Sequence, residues 1–284
     1  MSTIRVVQLS DTHFSTSGRI PYGGAGYDPA ETFEAVITTL ASRPSPHLTV
    51  VSGDLADHGE ASEYGVVVRQ LSRLDGDVYL LPGNHDRRAP FDALLTVGRL
   101  RYQRTLNVGG WLFVFVDSNG AGPRDTAETD KGILADSELE WLRGVLSATE
   151  QPHAFVWVHH PPGEVAGFSR ADYVAQFEAL LEDLPRVRGV GCGHAHTDLV
   201  TAAGAVPVFI CPSLTTSIDF IANTTMPPGF REYDFHPDGT IDTEAVLVDD
   251  DRWNDRRPLP ADVISYLMDE IDSTELKRRL GLDG

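Results

Sequence analysis

The sequence predicts an α/β fold, because short apolar segments typical of buried strands alternate with segments of helical periodicity. The apolar segments are rich in Val, Ile and Phe and span residues 4–9, 48–51, 78–81, 111–116, 154–158 and 187–190. Segments in which apolar residues recur at three and four positions span residues 30–40, 60–74, 137–146 and 172–181. Each predicted helix lies between two predicted strands, which is the order that defines the class.

Two further strands are predicted at residues 229–235 and 240–248. They flank the pair Asp238-Gly239, which favours a tight hairpin turn. We expect this hairpin to close a domain of residues 1–248.

Residues 249–284 differ in composition and are predicted to form an acidic linker and a helical C-terminal tail. Charged residues and Pro258 break the apolar pattern soon after Val248. Farther along the chain, apolar residues share one helical face: Val263, Ile264, Leu267, Met268 and Ile271. The tail could pack on its own domain or on a second subunit, so a homodimer or higher homo-oligomer stays open.

The composition argues against several classes of protein. A formal net charge of −19 over 284 residues disfavours a nucleic-acid polymer as partner, because binding a phosphate backbone needs clustered Lys and Arg. The sequence contains no signal-peptide pattern and no apolar run of membrane-spanning length, so we expect a cytoplasmic protein without membrane contact. The two cysteines, Cys192 and Cys211, are too few for a disulfide framework and are expected to be buried.

Residues of the types that bind metals follow five of the predicted strands. They occur in the segments Asp11-Thr12-His13, Gly53-Asp54, Gly83-Asn84-His85-Asp86, His159 and Gly193-His194-Ala195-His196. Any one of these segments alone is most often only a turn. Because the carboxyl ends of strands in an open α/β sheet converge on one crevice, we expect the side chains to meet there.

Seven of these residues are candidate metal ligands: Asp11, His13, Asp54, Asn84, His159, His194 and His196. Carboxylates, imidazoles and one amide, without cysteine, suit Mn²⁺, Fe or Zn²⁺. Seven ligands are too many for one ion, so we predict two ions in a hydrolytic site, with Asp54 as the shared carboxylate. Glycines before Asp54, Asn84 and His194 are expected to let the backbone approach the ions closely.

In this order the five segments, which extend from Asp11 to His196, resemble the signature of the calcineurin-like metallophosphoesterase superfamily. The resemblance implies a four-layer α/β/β/α sandwich of two mixed sheets flanked by helices. It also implies hydrolysis of a small-molecule phosphodiester by water that two metal ions activate. The H-H-P-P block that starts at His159 looks like that of class III cyclic nucleotide phosphodiesterases and the related glycerophosphodiesterases.

Carried over by position, the resemblance assigns the ligands to two ions: Asp11, His13, Asp54 and His196 to one, and Asp54, Asn84, His159 and His194 to the other. It leaves His85 off the ions, as the group that protonates the leaving alkoxide or stabilises the developing charge. Asn84 is expected to ligate and also to hold a phosphate oxygen. The expected catalytic residues are therefore His85, Asn84 and Asp54.

Three further residues lie beside these segments. Asp86 is expected to orient a neighbouring imidazole or Arg behind the ligands. Asp57 is expected to cap the helix that begins near Glu60. His160 is expected to point to the face opposite His159, with contact to the site or substrate as its less favoured role.

The resemblance favours a 3′,5′-cyclic nucleotide such as cAMP as the substrate. It leaves open a glycerophosphodiesterase, or a broad-specificity phosphodiesterase with phosphomonoesterase activity, because all of these use the same metal motifs. A non-catalytic scaffold on the same fold is the third alternative. Such relatives lack several ligands, whereas this sequence retains all of them.

Overall fold

The computed structural model of the chain describes residues 2–18, 27–94, 97–120, 132–163, 165, 171, 173–220 and 222–259. Within these residues the helices are α1 (Pro29–Ala41), α2 (Ala61–Leu71), α3 (Arg88–Ala93), α4 (Asp136–Ala148) and α5 (Val174–Glu182). The strands are β1 (Ile4–Leu9), β2 (Leu48–Ser52), β3 (Val78–Leu81), β4 (Leu100–Arg101), β5 (Thr105–Val108), β6 (Trp111–Val116), β7 (His153–Val158), β8 (Val187–Cys192), β9 (Leu199–Ala203), β10 (Val206–Ile210), β11 (Ser217–Asp219), β12 (Thr224–Met226), β13 (Gly229–Phe235) and β14 (Ile241–Leu247).

These strands form two six-stranded sheets and one small hairpin. The first sheet has the order β14-β13-β1-β2-β3-β4, and the second has the order β5-β6-β7-β8-β10-β9. In the first sheet β1 to β4 are parallel, whereas β13 pairs antiparallel with β1 on one side and with β14 on the other. In the second sheet β6, β7, β8 and β10 are parallel, and the antiparallel strands β5 and β9 form its edges. The predicted two mixed sheets are confirmed.

The sheets pack face to face through an aromatic core, and helices cover both outer faces. Alternate residues along a strand point to opposite faces, so Val6 lies in the core between the sheets while Val7 faces the core of α1 and α2. Across the inter-sheet layer, Phe113 of one sheet meets Phe235 of the other with ring centroids 5.0 Å apart. Helices α4 and α5 cover the outer face of the second sheet. The predicted four-layer α/β/β/α sandwich is confirmed.

The helix predicted at residues 60–74 is α2, and its start corrects one expectation. Glu60 is the N-cap residue, and the Glu63 side chain accepts a hydrogen bond from the Glu60 backbone N–H at 3.1 Å. The Glu63 backbone N–H donates to Glu60 O at 2.9 Å, and the bond from the Glu63 side chain is the one that the third helical residue makes in a capping box. Asp57 therefore does not cap the helix, and its side chain is available for another role.

Residues 249–259 pack against the sandwich. Trp253 is 5% exposed and belongs to the core beneath α1 and α2. The backbone N–H of Thr225 in β12 donates to Arg257 O at 2.8 Å, and that of Leu259 donates to Asn223 O at 3.0 Å. The helix predicted farther along the tail lies outside the described residues, and the domain boundary at residue 248 stays a prediction. None of the described helices is both long and apolar enough to cross a membrane.

Candidate metal centre

All seven candidate ligands meet at the carboxyl ends of the parallel strands, where the edges of the two sheets adjoin. The loops after β1, β2 and β3 in the first sheet carry four of them: Asp11, His13, Asp54 and Asn84. The loops after β7 and β8 in the second sheet carry the other three: His159, His194 and His196. The site therefore depends on both sheets, and the predicted convergence is observed.

The first group of ligands surrounds His196. Its Nε2 lies 3.4 Å from Asp11 Oδ1 and 3.2 Å from His13 Nε2. The Nε2 of His13 lies 3.7 Å from Asp54 Oδ2. These four residues are the set assigned to one ion from the sequence.

The second group surrounds Asn84. Its Oδ1 lies 3.0 Å from His159 Nε2 and 3.1 Å from His194 Nδ1. His159 Nε2 also lies 3.3 Å from Asp54 Oδ2, the same oxygen that approaches His13 in the first group. Asp54 is thus the residue common to both groups, which is the place expected of a bridging carboxylate.

The backbone is strained where it presents these side chains. Five of the six non-glycine residues with positive φ in the described part of the chain are candidate ligands: Asp11 (54°), His13 (39°), Asp54 (51°), His194 (66°) and His196 (50°). Left-handed backbone is costly for residues with a Cβ and persists where surrounding structure enforces it, commonly at functional sites. The sequence motifs gave no signal of this strain.

The residues before the ligands must be glycines, because neighbouring loops approach them too closely for a Cβ atom. A Cβ on Gly83 would lie 2.1 Å from Asp54 Oδ1, and one on Gly193 would lie 1.9 Å from Ser10 Oγ. Neither distance is compatible with a carbon atom at that position. These glycines therefore let the loops that carry the ligands pack closely against one another, and their approach to the ions stays a prediction.

In two of the imidazole rings, a hydrogen bond made by Nδ1 directs the opposite nitrogen, Nε2, into the centre. His159 Nδ1 donates to Ser52 O at 2.8 Å, and His196 Nδ1 donates to Thr216 O at 3.0 Å. Because a carbonyl oxygen only accepts, Nδ1 carries a hydrogen in both rings, and Nε2 of the neutral ring keeps its lone pair. That tautomer is the one a metal ligand needs, so the donor set fits metal binding.

The charges of the centre are closely balanced. Burial acts to raise the pKa of Asp54, but the charges of His159 and His85 outweigh it and hold this pKa well below its usual range. Burial acts to lower the pKa of His159, but the Asp54 and Asp11 carboxylates raise it to about 9. Burial and the neighbouring His159 lower the pKa of His194 to about 3. His159 therefore holds a proton among the carboxylates, at a place where a cation could replace it.

Asp57 takes the supporting role that the sequence assigned to Asp86. The Oδ1 of Asp57 lies 3.3 Å from His13 Nδ1, on the side of the ring away from the ligand group. Asp86 contacts no imidazole or Arg among the described residues at hydrogen-bond distance. Its carboxylate instead accepts from Tyr64 Oη at 2.7 Å and from three backbone N–H groups: Gly83 at 2.9 Å, Leu55 at 3.1 Å and Ala56 at 3.3 Å. Asp86 thus joins the Asp54 loop to the Asn84 loop.

His85 lies beside the centre, and neither of its ring nitrogens belongs to the two ligand groups. Its backbone N–H donates to Asp54 Oδ1 at 2.9 Å, and its Nδ1 donates to Asp57 O at 2.6 Å. Burial acts to lower the pKa of His85, but the Asp54 carboxylate and the bond to Asp57 O outweigh it and raise this pKa. The raised pKa favours the protonated ring, which is the form that a proton donor needs.

His160 corrects the expectation that it points away from His159. Its ring is buried, with its centroid 4.9 Å from that of His159 and 4.5 Å from that of His194. Strand β7 ends at Val158, so the alternation of faces along a strand no longer applies to the two histidines. Both cysteines are buried, as expected.

Two adjoining mixed sheets that present buried carboxylates and imidazoles in two groups with one shared Asp define a dinuclear metal hydrolase. The model of the calcineurin-like phosphoesterase family matches residues 4–198, and the chain belongs to this family. It is accordingly a metal-dependent phosphoesterase with a two-metal site.

Similar proteins include phosphodiesterases with different substrates. The chain is 28% identical over 265 residues to the 3′,5′-cyclic adenosine monophosphate phosphodiesterase CpdA of Escherichia coli (strain K12), covering 88% of this chain and 92% of that one. It is 28% identical over 246 residues to the glycerophosphodiester phosphodiesterase GpdQ of Enterobacter lignolyticus, covering 82% of this chain and 84% of that one. The fold resembles a dimetal phosphatase of Danio rerio with a TM-score of 0.59 and 14% identity, covering 88% of this chain and 100% of that one.

Proposed function

We propose that the protein hydrolyses small phosphodiesters, with 3′,5′-cyclic nucleotides such as cAMP as preferred substrates. The observation that carries the reaction type is Asp54, whose Oδ2 approaches ligand nitrogens of both groups, His13 at 3.7 Å and His159 at 3.3 Å. The likeness to CpdA over 88% of the chain supports the choice of a cyclic nucleotide. The proposal includes a cytoplasmic location.

In this proposal the ligand groups keep the division described above. Asp11, His13, Asp54 and His196 hold one ion, and Asp54, Asn84, His159 and His194 hold the other. Two ions bound there supply Lewis-acid charge to the phosphate oxygens and acidify the attacking water. Mn²⁺ and Fe suit the oxygen and imidazole donors, and Zn²⁺ accepts the same set.

The protein's own groups position and protonate the substrate. His85 has Nδ1 committed to Asp57 O, so its Nε2 is the nitrogen that can donate a proton to the leaving alkoxide. The Asn84 side chain has its Oδ1 among the ligand nitrogens, and the proposal assigns its amide group to hold a phosphate oxygen as a donor. The Asp57 carboxylate lies 3.3 Å from His13 Nδ1, and the Asp57 carbonyl oxygen accepts from His85 Nδ1.

The second candidate function is glycerophosphodiester hydrolysis, favoured by the likeness to GpdQ over 82% of the chain. A panel of substrates separates the two: cAMP, 2′,3′-cAMP, glycerophosphodiesters, bis(p-nitrophenyl) phosphate and p-nitrophenyl phosphate, compared by kcat/KM with Mn²⁺-reconstituted enzyme. The proposal requires cAMP to be the best natural substrate. Higher kcat/KM for a glycerophosphodiester would select the second candidate. If no diester is hydrolysed, the remaining alternative is a non-catalytic scaffold on the same fold.

A further inference from the structure

His160 is a buried histidine beside the centre that neither ligand group uses. Its side chain is 1% exposed. Together with His159 and His194 it forms a group whose candidate ligand atoms all lie within 4.8 Å of one another. A polar ring in this position needs a partner for each nitrogen.

Ser118 determines which nitrogen of His160 carries the hydrogen. The Ser118 Oγ accepts from the backbone N–H of His160 at 3.3 Å and lies 2.7 Å from Nδ1 of the same residue. Ser118 is fully buried, and among the described residues Nδ1 is the one acceptor within reach of its hydroxyl hydrogen. A buried hydroxyl is expected to donate. Ser118 therefore donates to Nδ1, and the neutral His160 ring carries its hydrogen on Nε2.

This conclusion does not depend on the charge of the ring. If His160 were protonated, both nitrogens would carry hydrogens, and Nε2 would still be a donor. A nitrogen that bears a hydrogen has no lone pair for a metal ion. His160 is thus a donor beside the centre and not an eighth ligand.

The Nε2 donor has no partner in the described structure. The opposite edge of the ring is closed, since a Cβ on Gly132 would lie 2.4 Å from the His160 Cβ and 3.0 Å from its Nδ1. Of the two ring nitrogens, Nε2 is the one not paired with Ser118, and the ring centroid of His194 lies 4.5 Å from that of His160. Because burying a donor without an acceptor is unfavourable, the position suits an anionic oxygen that arrives with the substrate.

We propose that His160 Nε2–H is a phosphate-binding group that donates a hydrogen bond to a non-bridging oxygen of the phosphodiester held beside His194. The inference rests on the proposed function, since it assigns a contact to the same substrate. It adds a hydrogen-bond donor on the side of the second ligand group.

The test replaces His160 by Leu, which removes the donor, and by Gln, whose amide can restore one. The control is His153→Leu, because His153 is also a buried histidine with an unpartnered nitrogen, Nδ1, but lies at the opposite end of β7. Bound metal is measured by elemental analysis, and the Kd of inorganic phosphate by calorimetry on Mn²⁺-loaded protein. We expect two ions in every variant, a Kd raised roughly 10- to 100-fold in His160→Leu, substantial recovery in His160→Gln and no change in His153→Leu.

Loss of one ion in His160→Leu would overturn the proposal by making His160 a ligand, and an unchanged phosphate Kd would overturn it by making the ring a packing element. If His160→Leu does not fold, long-range ¹H–¹⁵N spectra of the wild-type protein decide instead. A hydrogen on Nε2 supports the proposal, and one on Nδ1 alone rejects it. Failure of the proposed function is distinguishable, because it would be seen as wild-type protein that binds phosphate but hydrolyses no diester.

Discussion

The Asp57 carboxylate supports the imidazole of His13 from behind, with 3.3 Å between Oδ1 and Nδ1. The opposite nitrogen of that ring lies 3.2 Å from His196 Nε2 in the first ligand group. A carboxylate in this position fixes the orientation of a metal-binding histidine and raises its basicity. The carbonyl oxygen of Asp57 also holds His85, so one residue aligns a candidate ligand and the candidate proton donor.

Replacing Asp57 by Ala should weaken metal binding by roughly 10- to 100-fold, because His13 loses the group behind it. The backbone carbonyl that holds His85 is retained in this variant. The measurement is metal affinity by competition with a chelator. Wild-type affinity in Asp57→Ala would contradict the assignment.

The matched control is Glu63→Ala, which removes the acceptor for the Glu60 backbone N–H at the start of α2. It should lower the free energy of unfolding by about 1 kcal/mol and leave metal affinity unchanged. Asp57→Ala should leave the stability of α2 unchanged.

His85→Ala should retain both ions and lose roughly 10² to 10⁴ in kcat, the range for general acid catalysis. The loss should be larger for cAMP, whose leaving alkoxide needs a proton, than for bis(p-nitrophenyl) phosphate, whose p-nitrophenolate departs largely unaided. Equal losses on both substrates would indicate charge stabilisation in place of proton donation. Loss of metal, measured by elemental analysis, would make His85 a ligand.

Metal binding should strengthen as the pH rises toward 9, because an ion must displace the proton of His159, whose pKa the Asp54 and Asp11 carboxylates raise, against burial, to about 9. The folded-state pKa lies above the unfolded value of about 6.5. The proton on His159 therefore stabilises chelator-treated protein fully below that pH, and this contribution is lost as pH rises through the folded pKa. An NMR titration of chelator-treated protein should place the His159 midpoint near the raised value. A midpoint at or below the unfolded value would contradict the charge balance described.

Truncating the tail at two different positions should have different effects on stability. Truncation after Leu259 should leave the sandwich intact and bis(p-nitrophenyl) phosphate hydrolysis within about tenfold, because the tail carries none of the ligands. Truncation after Val248 also removes the buried Trp253, and loss of a core Trp side chain costs about 3 to 5 kcal/mol. Denaturant unfolding of both forms tests this. Equal stabilities would show that Trp253 contributes nothing to the core.

The positions of the ligands were predictable from the sequence because each lies just beyond a strong strand pattern. Strands β1, β3 and β6 begin and end at the predicted residues. Strand β10 was not predicted, since Pro207 lies within it and lacks a backbone N–H. The other strands missed are short or form sheet edges, where partial exposure weakens the apolar pattern.

The groups that support the ligands could not be assigned from sequence in the same way. Asp57 and Asp86 both follow a ligand at short spacing, and only the fold decides which carboxylate reaches an imidazole. The capping pair Glu60 and Glu63 was the one available signal that Asp57 is not the helix cap. The Asp86 carboxylate instead accepts hydrogen bonds from backbone N–H groups in two loops, where no neighbouring strand supplies an acceptor.

The central claim is that two ions share Asp54 and that both are needed for phosphodiester hydrolysis. The direct measurement is a Mn²⁺ titration of chelator-treated wild-type protein and of Asp54→Ala, following bound metal and cAMP hydrolysis in the same samples. Wild-type protein should bind two ions per chain and become active as the second binds, whereas Asp54→Ala should bind neither ion tightly and remain inactive. Two tightly bound ions in Asp54→Ala, or full wild-type activity without added metal, would contradict the claim.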